Sequence, residues 1–473
     1  MNIRKVLIAN RGEIAVRIAR ACQEMGIKAV AIYSEADQYS LHVKKADEAY
    51  CISKDPLSGY LNPHHIVNLA VETGCDALHP GYGFLSENAS LAAICKERGI
   101  RFIGPSADVI SMMGDKTEAR ATAIKANVPV TPGSKGNLED VEDAVTQAAD
   151  VGYPVMLKAT SGGGGRGIRR CDSEKELRQN FPRVISEASK AFGSAEVFLE
   201  KCVVNPRHIE VQVLADSHGN AIHLYERDCS IQRRNQKLIE LAPSPQLSDE
   251  QREYIGDLAV RVAKGCGYEN AGTVEFLLDS AGDFYFMEMN TRIQVEHTIT
   301  EAITGVDIVK EQIRVAAGEP LRFRQDQISY RGFAAQFRIN AEDPQNGFLP
   351  SFGRVTRYYS PGGPGVRTDA AMYTGYEIPP HYDSMCAKLI VWAMDWEELL
   401  DRSRRALNDM GIYGVTTTIP YYQQILQHPD FRAANFDTSF VESHPQLLEY
   451  SKKSRPETIA AAIATAIAAQ AGL

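Results

Sequence analysis

Two stretches of the chain combine residue types that can grip and activate a phosphate. The first is Tyr153 to Gly167, YPVMLKATSGGGGRG. Val155–Leu157 reads as a strand that Lys158 ends, and Gly162, Gly163, Gly164 and Gly165 follow, with Gly167 one residue further on. Glycine lets successive backbone N–H groups converge on an anion with no side chain in the way. A lysine at the strand end adds a point charge for one of its oxygens. No GK[ST] follows and no helix opens directly, so the stretch is not a Walker A loop.

The second stretch is Glu275 to His297, EFLLDSAGDFYFMEMNTRIQVEH. Two apolar strands flank Asp279 to Asp283, a hairpin turn signal. A hairpin centred near Ala281-Gly282 brings Glu275 opposite Glu288, and Glu288 and Asn290 share one face of their strand. Two carboxylates and an amide oxygen are hard ligands suited to Mg²⁺ or Mn²⁺. Facing glutamates inside apolar strands are costly without a cation. Arg292, Gln294 and Glu296 continue at two-residue spacing. If the chain stays extended, they line the same face, where they could hold a small oxyanion and take its proton. Each stretch alone has a plain structural reading, as a surface turn or a solvent-facing sheet edge. In this order they point to one site for nucleotide phosphates and a metal.

The elements that must position these residues follow from periodicity. Residues 1–113 alternate strands (Val6–Ala9, Ala29–Tyr33, strand ends at Ala77-Leu78 and Phe102) with helical spacing from Ile14 to Met25, which predicts an α/β unit with a parallel sheet. Asn10-Arg11-Gly12-Glu13 stands where a GxGxxG dinucleotide fingerprint would stand, which argues against a dehydrogenase. Residues 114–130 read as a linker helix. Residues 131–204 read as a small lid, with strands at Val155–Lys158, Ile168–Arg170 and Val197–Glu200 and a helix through Glu187. Residues 205–325 hold strands at Ile209–Leu214, Ala221–Arg227, Gly272–Leu278 and Phe284–Met289, and a helix from Asp249 to Cys266. Residues 326–447 are β-rich, and residues 448–473 read as a tail helix with Ile459, Ile463 and Ile467 in one stripe.

Composition narrows the partners. The 473 residues carry a formal net charge of −9 with no dominant basic run, so nothing suggests nucleic acid or an anionic membrane. The N-terminal apolar run is too short for a signal peptide, and no segment reaches the ~20 apolar residues of a membrane helix. Nine scattered cysteines without a CxxC predict reduced thiols and a cytoplasmic protein.

These stretches resemble the ATP-grasp superfamily and, within it, the biotin carboxylases. The resemblance runs from about residue 3 to 447. It includes ANRGEIAVRI (9–18), HPGYGFLSEN (79–88), FIGPS (102–106), MGDK (113–116), NPRHIEVQVL (205–214), ERDCSIQRR (226–234) and RINAEDP (338–344). It implies a Rossmann-like N-terminal parallel sheet, an ATP-grasp lid and body, and a C-terminal biotin carboxylase domain, as a homodimer. Residue by residue, it implies that Lys116 and Lys158 contact the phosphates of ATP under the loop Gly162–Gly167. Glu200 and Lys201 meet the adenine, with His208 and Gln232 near the ribose. Glu275, Glu288 and Asn290 hold two metal ions. Lys237 contacts phosphate or the bicarbonate-derived intermediate. Arg292, Gln294 and the backbone of Val295 bind bicarbonate, Glu296 is its general base, and Arg338 stabilises the enolate-like biotin. Asn235 departs from the family's histidine, and an asparagine there cannot be cationic.

No A-M-K-M biotinyl-lysine motif occurs. Biotin is therefore expected on a separate carrier, and a carboxyltransferase is expected as a further partner chain. The segments 233–245, 347–368 and 440–445 look most like the biotin carboxylase subunit of two-subunit pyruvate carboxylases, with acetyl-CoA or another acyl-CoA carboxylase as the alternative. Against a different ATP-grasp ligase stand RIQVEH and RINAEDP. A non-catalytic scaffold would be expected to lose Arg292, Glu296 or a metal glutamate, and all are present.

Overall fold

Lys5–Ile8 lies at the centre of a five-stranded parallel sheet, flanked by Lys28–Ser34 and Glu48–Ser53 on one side and by Ala77–His79 and Arg101–Phe102 on the other. Val6, Leu7, Ala29 and Val30 are fully buried, because helices cover both faces of a parallel sheet and leave no face for polar residues. Strand order reverses at Lys5–Ile8, so the loops after Ile8 and His79 open a crevice at the strands' carboxyl ends. The Asn10 amide locks these loops together by donating to the carbonyls of Pro80 (2.7 Å) and Tyr82 (2.8 Å). This computed structural model describes residues 2–134, 136–160, 167–193 and 195–451, and residues 464, 465, 467 and 470. Glycines 162–165 and the tail residues Ile459 and Ile463 lie outside them, and Ile467 is exposed.

The helix expected near 114–130 is Lys116–Lys125, capped by the Asp115 carboxylate. Beyond it, Val155–Ala159 sits between Ile168–Cys171 and Val197–Lys201 in a three-stranded antiparallel sheet. The helices Val141–Val151 and Glu174–Phe192 accompany this sheet. The second helix passes the predicted stop at Glu187 and carries Pro182 inside it, ending at left-handed Gly193. Its buried face, Leu177, Phe181 and Val184, packs with Val155 and Leu157, and that packing outweighs the local proline penalty.

Eight further strands form one antiparallel sheet, and six short ones pair off in three two-stranded sheets. The larger sheet carries the site. Its order is Phe284–Asn290, Asn270–Leu278, Arg207–Ala215, Ala221–Arg233, Gln236–Ala242, Phe333–Asn340, Met385–Ala393, Val366–Ala370. Two features differ from expectation. The strand predicted to end at Arg227 runs on to Arg233 through two irregularities of register. Its partner Gln236–Ala242 was not anticipated, since Lys237 and Glu240 interrupt its apolar pattern. Gln236–Ala242 then pairs with Phe333–Asn340, so hydrogen bonding continues across residue 325. Ile231, Leu238, Ile239 and Leu241 share a core with Phe337, Leu389 and Tyr422. The C-terminal stretch also carries helices, notably Trp396–Asp409. All nine cysteines are free, eight of them buried. Among the described residues, no helix is long and apolar enough to cross a membrane.

Candidate active site

A cavity of about 990 Å³ opens between the lid sheet, the eight-stranded sheet and the N-terminal crevice. That volume is large enough for a nucleotide with a second substrate. Its central feature is a set of charges on five adjacent strands and one helix start. Lys237 Nζ donates to Glu210 (2.6 Å), Glu275 (3.0 Å) and Glu296 (2.8 Å). Burial alone would lower the Lys237 pKa, but the carboxylates around it raise it well above the usual lysine range. Arg338 donates to Glu240 (2.5 Å) and Glu296 (3.1 Å). Burial pushes the Glu296 carboxyl up, yet Lys237, Arg338 and Arg227 outweigh it and hold Glu296 well below the ordinary carboxylate range. Glu296 is therefore ionised at neutral pH, as a proton acceptor must be.

The hairpin register is as predicted: Glu275 pairs with Glu288 and Thr273 with Asn290. Glu275 is saturated. It accepts from Lys237, from Asn290 and Gln294 (2.8 Å each), and faces His208 Nε2 at 2.7 Å. Glu288 has no hydrogen-bond partner among the described residues. Burial first, then the facing Glu275, raise its pKa, with Lys116 in partial opposition. A half-buried carboxylate pushed up by a second one is what a hard cation would relieve. Glu275, Glu288 and the Asn290 amide oxygen thus fit Mg²⁺, with the Lys237 and His208 contacts to Glu275 as the ones that must yield.

The lid contributes its own charges. Lys158 Nζ lies 2.5 Å from Glu200, which also accepts from Arg120 (3.1 Å). Burial raises Glu200, but Lys158 and Arg120 bring it below the normal value. Lys116 faces the same space, and burial lowers its pKa. Lys201 borders the cavity, but its ammonium is committed to the carbonyls of Gly152 (2.8 Å) and Tyr153 (2.9 Å). Gly167, buried at φ +68, accepts from the Ala159 N–H at the mouth of the glycine loop.

The segment Arg292–Glu296 corrects one expectation. The strand stops at Asn290 and the chain turns, so that Glu296 starts the helix His297–Thr304. The three side chains still border the cavity, but not as alternate positions of an extended strand. Arg292 Nε donates to Glu87 (2.9 Å), from the HPGYGFLSEN loop. The Val295 carbonyl accepts from Lys388 Nζ (3.0 Å), and that fully buried ammonium also contacts Glu13 (3.0 Å).

Asn235 has a backbone reason to be where it is. Arg234 and Asn235 form a two-residue hairpin loop with φ of +49° and +62°, the left-handed pair of a type I′ turn. Asparagine and histidine are both enriched in that conformation, so the turn tolerates either. His208, Gln232 and Asn235 all line the cavity. Sequence reasoning missed Glu210, Arg227 and Glu240. Arg227, fully buried, bridges Glu210, Gln212, Thr273, Gln294 and Thr300. Its only signal was a charge inside the motif ERDCSIQRR.

A lysine-bearing lid facing a sheet with paired metal-type carboxylates, across a nucleotide-sized cavity, is the arrangement of an ATP-grasp ligase. Three family models extend that assignment along the chain. "Biotin carboxylase, N-terminal domain" matches residues 2–110, "Carbamoyl-phosphate synthase L chain, ATP binding domain" residues 115–324, and "Biotin carboxylase C-terminal domain" residues 336–443. The chain belongs to the biotin carboxylase family, whose members are ATP-dependent ligases. It is 56% identical over 470 residues to the 2-oxoglutarate carboxylase small subunit of Hydrogenobacter thermophilus, covering 99% of this chain and 100% of that one. It is 54% identical to a pyruvate carboxylase subunit of Methanothermobacter thermautotrophicus, over 93% and 90% of the two chains. The crystal structure of the Hydrogenobacter biotin carboxylase domain dimer with MgADP, ADP and bicarbonate superposes with a TM-score of 0.93, covering 96% of this chain and 100% of that one.

Proposed function

We propose that this chain carboxylates biotin carried on a separate protein, as the first half-reaction of a two-subunit pyruvate carboxylase. The observation that carries the biotin half of this reading is Glu296, kept ionised between Lys237 and Arg338 beside Gln294 and Val295. Bicarbonate is a weak nucleophile. Held by Arg292, Gln294 and the Val295 backbone, it attacks the γ-phosphorus of ATP while Glu296 takes its proton. The bond from that phosphorus to the bridging oxygen breaks and ADP leaves. Lys116, Lys158 and Lys237 neutralise charge on the transferring group, whose transition state is stabilised by positioning and electrostatics. Mg²⁺, when bound by Glu275, Glu288 and Asn290, adds positive charge against the phosphate oxygens. The resulting carboxyphosphate releases CO₂ beside biotin, its phosphate takes the N1 proton, and Arg338 holds the ureido oxyanion while N1 attacks CO₂. The lid must exclude water meanwhile.

The partners in this proposal are a biotin carrier, a carboxyltransferase chain and a second copy of this chain. Nine free cysteines suit a reducing, cytoplasmic setting. A specific observation favours 2-oxoglutarate as a second reading of the acceptor: the alignment to the small chain of that enzyme extends over 99% of this chain. The test has two stages. Purified chain with MgATP and free biotin should hydrolyse ATP only when bicarbonate is added, and turnover indifferent to bicarbonate overturns the biotin carboxylase reading. The biotinylated partner captured from its own cells is then given labelled bicarbonate with pyruvate, 2-oxoglutarate or acetyl-CoA. Label in pyruvate supports the proposal, and label only in one of the others replaces the acceptor.

A further inference from the structure

Away from the cavity, His428 and His444 bracket two short helices, Pro429–Arg432 and Phe440–Ser443. Their rings meet at 4.2 Å between centroids, and both pack on Phe440. Asp430 stands beside them, with Oδ2 3.4 Å from His444 Nε2 and 3.8 Å from His428 Nδ1. One atom from each residue falls within 4.8 Å of the others. The hydrogen bonds decide what those atoms offer. His444 Nδ1 lies 2.7 Å from the Phe440 carbonyl, which can only accept, so Nδ1 carries a proton. In the neutral ring this leaves a lone pair on Nε2, the atom facing Asp430. His428 Nδ1 carries a lone pair too, which now accepts the Asp430 N–H at 3.3 Å, a long contact that an ion would displace. A histidine fixed by donating its other N–H to a backbone carbonyl is the arrangement that orients metal-ligating imidazoles. Two imidazole nitrogens and a carboxylate oxygen, all electron-rich, thus converge, with the Asp430 N–H as the donor that must yield to an ion.

We propose that His428, Asp430 and His444 form a site for one divalent transition-metal ion of the zinc type, which staples the segment from 428 to 444. Imidazole and carboxylate together suit Zn²⁺. Ligand atoms around tetrahedral zinc lie roughly 3.3 Å apart, given Zn–N bonds of about 2.0–2.1 Å. The two separations from Asp430, 3.4 and 3.8 Å, are near that value, and the two imidazole nitrogens, within 4.8 Å of each other, would close on the ion. The half-exposed Asp430 leaves the outer side open for water. The stapled segment is not idle surface. Phe436 packs under the Arg207 guanidinium (4.5 Å), and the Thr438 N–H donates to the Pro206 carbonyl (3.0 Å). Pro206 and Thr438 both line the rim of the large cavity. An ion here would stiffen that rim from outside.

The competing arrangement is a protonated His444 paired with Asp430, and the two are separable. Full-length protein stripped with a chelator is titrated with Zn²⁺ against a chromogenic zinc indicator, alongside His428→Gln/His444→Gln. Zinc taken up by the acids of the active site is common to both proteins and cancels in the difference. The wild type is expected to bind one more equivalent per chain. Zn²⁺ should raise its Tm by roughly 2 °C or more beyond any rise in the variant. Bicarbonate-dependent turnover of the zinc-free proteins, assayed with MgATP, should be equal, which shows the variant folded. Equal zinc uptake by the two proteins overturns the site. If the double variant fails to fold, His444→Lys, which keeps a cation beside Asp430 without an imidazole, is read by the same criterion.

Discussion

Lys237 is the residue on which the most buried charge converges. Three carboxylates, Glu210, Glu275 and Glu296, lie within 3.0 Å of its ammonium, and all are buried. Removing one member of such a group strands the others, a loss of about 3–5 kcal/mol. Lys237→Met is expected to lose that much stability at pH 7.5 by denaturant melting. The sign of its pH dependence follows from linkage. Without the ammonium, burial and mutual repulsion raise the folded-state pKa values of the three acids above their unfolded values. The folded state then binds more protons, and stability falls as pH rises. The deficit relative to wild type should therefore shrink at pH 5.5, and a deficit equal at both pH values would refute this account. A second expectation concerns Glu296. Glu296→Ala should abolish bicarbonate-dependent turnover while retaining ATP binding, read by nucleotide titration; loss of ATP binding would mean that it supports the nucleotide site instead. Glu275, Glu288 and Glu296 were legible in the sequence because a hairpin and a short motif bring them together locally. Glu210, Arg227 and Glu240 were not. Glu210 and Glu240 are single acids between apolar neighbours, Arg227 stands between two acids of its own strand, and Glu240 meets Arg338 across 98 residues of chain.

At the scale of elements, the hairpin joining Ala221–Arg233 to Gln236–Ala242 sets where Gln232 and Lys237 face the cavity. Its loop needs two left-handed residues, and neither is glycine. Forcing a β-branched side chain into that conformation costs about 1–2 kcal/mol. Asn235→Val is expected to lose about that much stability and to weaken ATP binding by shifting Lys237. Asn235→His, the residue that the family resemblance implies here, should match wild type in melting to within about 0.5 kcal/mol, since histidine tolerates the same backbone. If Asn235→His melts as low as Asn235→Val, the turn is not what the position selects for. In the sequence, the missing charge of Asn235 is its salient feature; φ, which no composition reveals, supplies the other half. The same limit hid the strand Gln236–Ala242. Lys237 and Glu240 break its apolar alternation because they join the buried charge cluster, so a strand committed to that cluster reads as a poor strand.

At the scale of the molecule, the site is assembled by a sheet that does not stop where the family segments do. Gln236–Ala242 hydrogen-bonds Phe333–Asn340, and this pairing sets Arg338 beside Glu240 and Glu296. Lys388, two strands over from Gln236–Ala242, extends the same logic to the N-terminal unit. Its ammonium is fully buried and holds both Glu13 of the first helix, Gly12–Glu24, and the carbonyl of Val295. Burial raises the Glu13 pKa and Lys388 opposes it, so Lys388 is the charge that makes Glu13 tolerable there. Replacing it with methionine keeps the length of the side chain and removes both contacts. Lys388→Met should cost about 3–5 kcal/mol. Glu13→Gln in the same chain should recover part of that loss, with a coupling of about 0.5–3 kcal/mol in the double-mutant cycle. The kinetic consequence is selective. Freed of its anchor, the Val295 carbonyl no longer fixes the backbone proposed to hold bicarbonate, so KM for bicarbonate should rise with little change in KM for ATP. The Glu13 rescue should restore stability without restoring bicarbonate affinity, because it repairs the buried charge and not the carbonyl. A double variant that recovers both together would show that Lys388 acts only through folding.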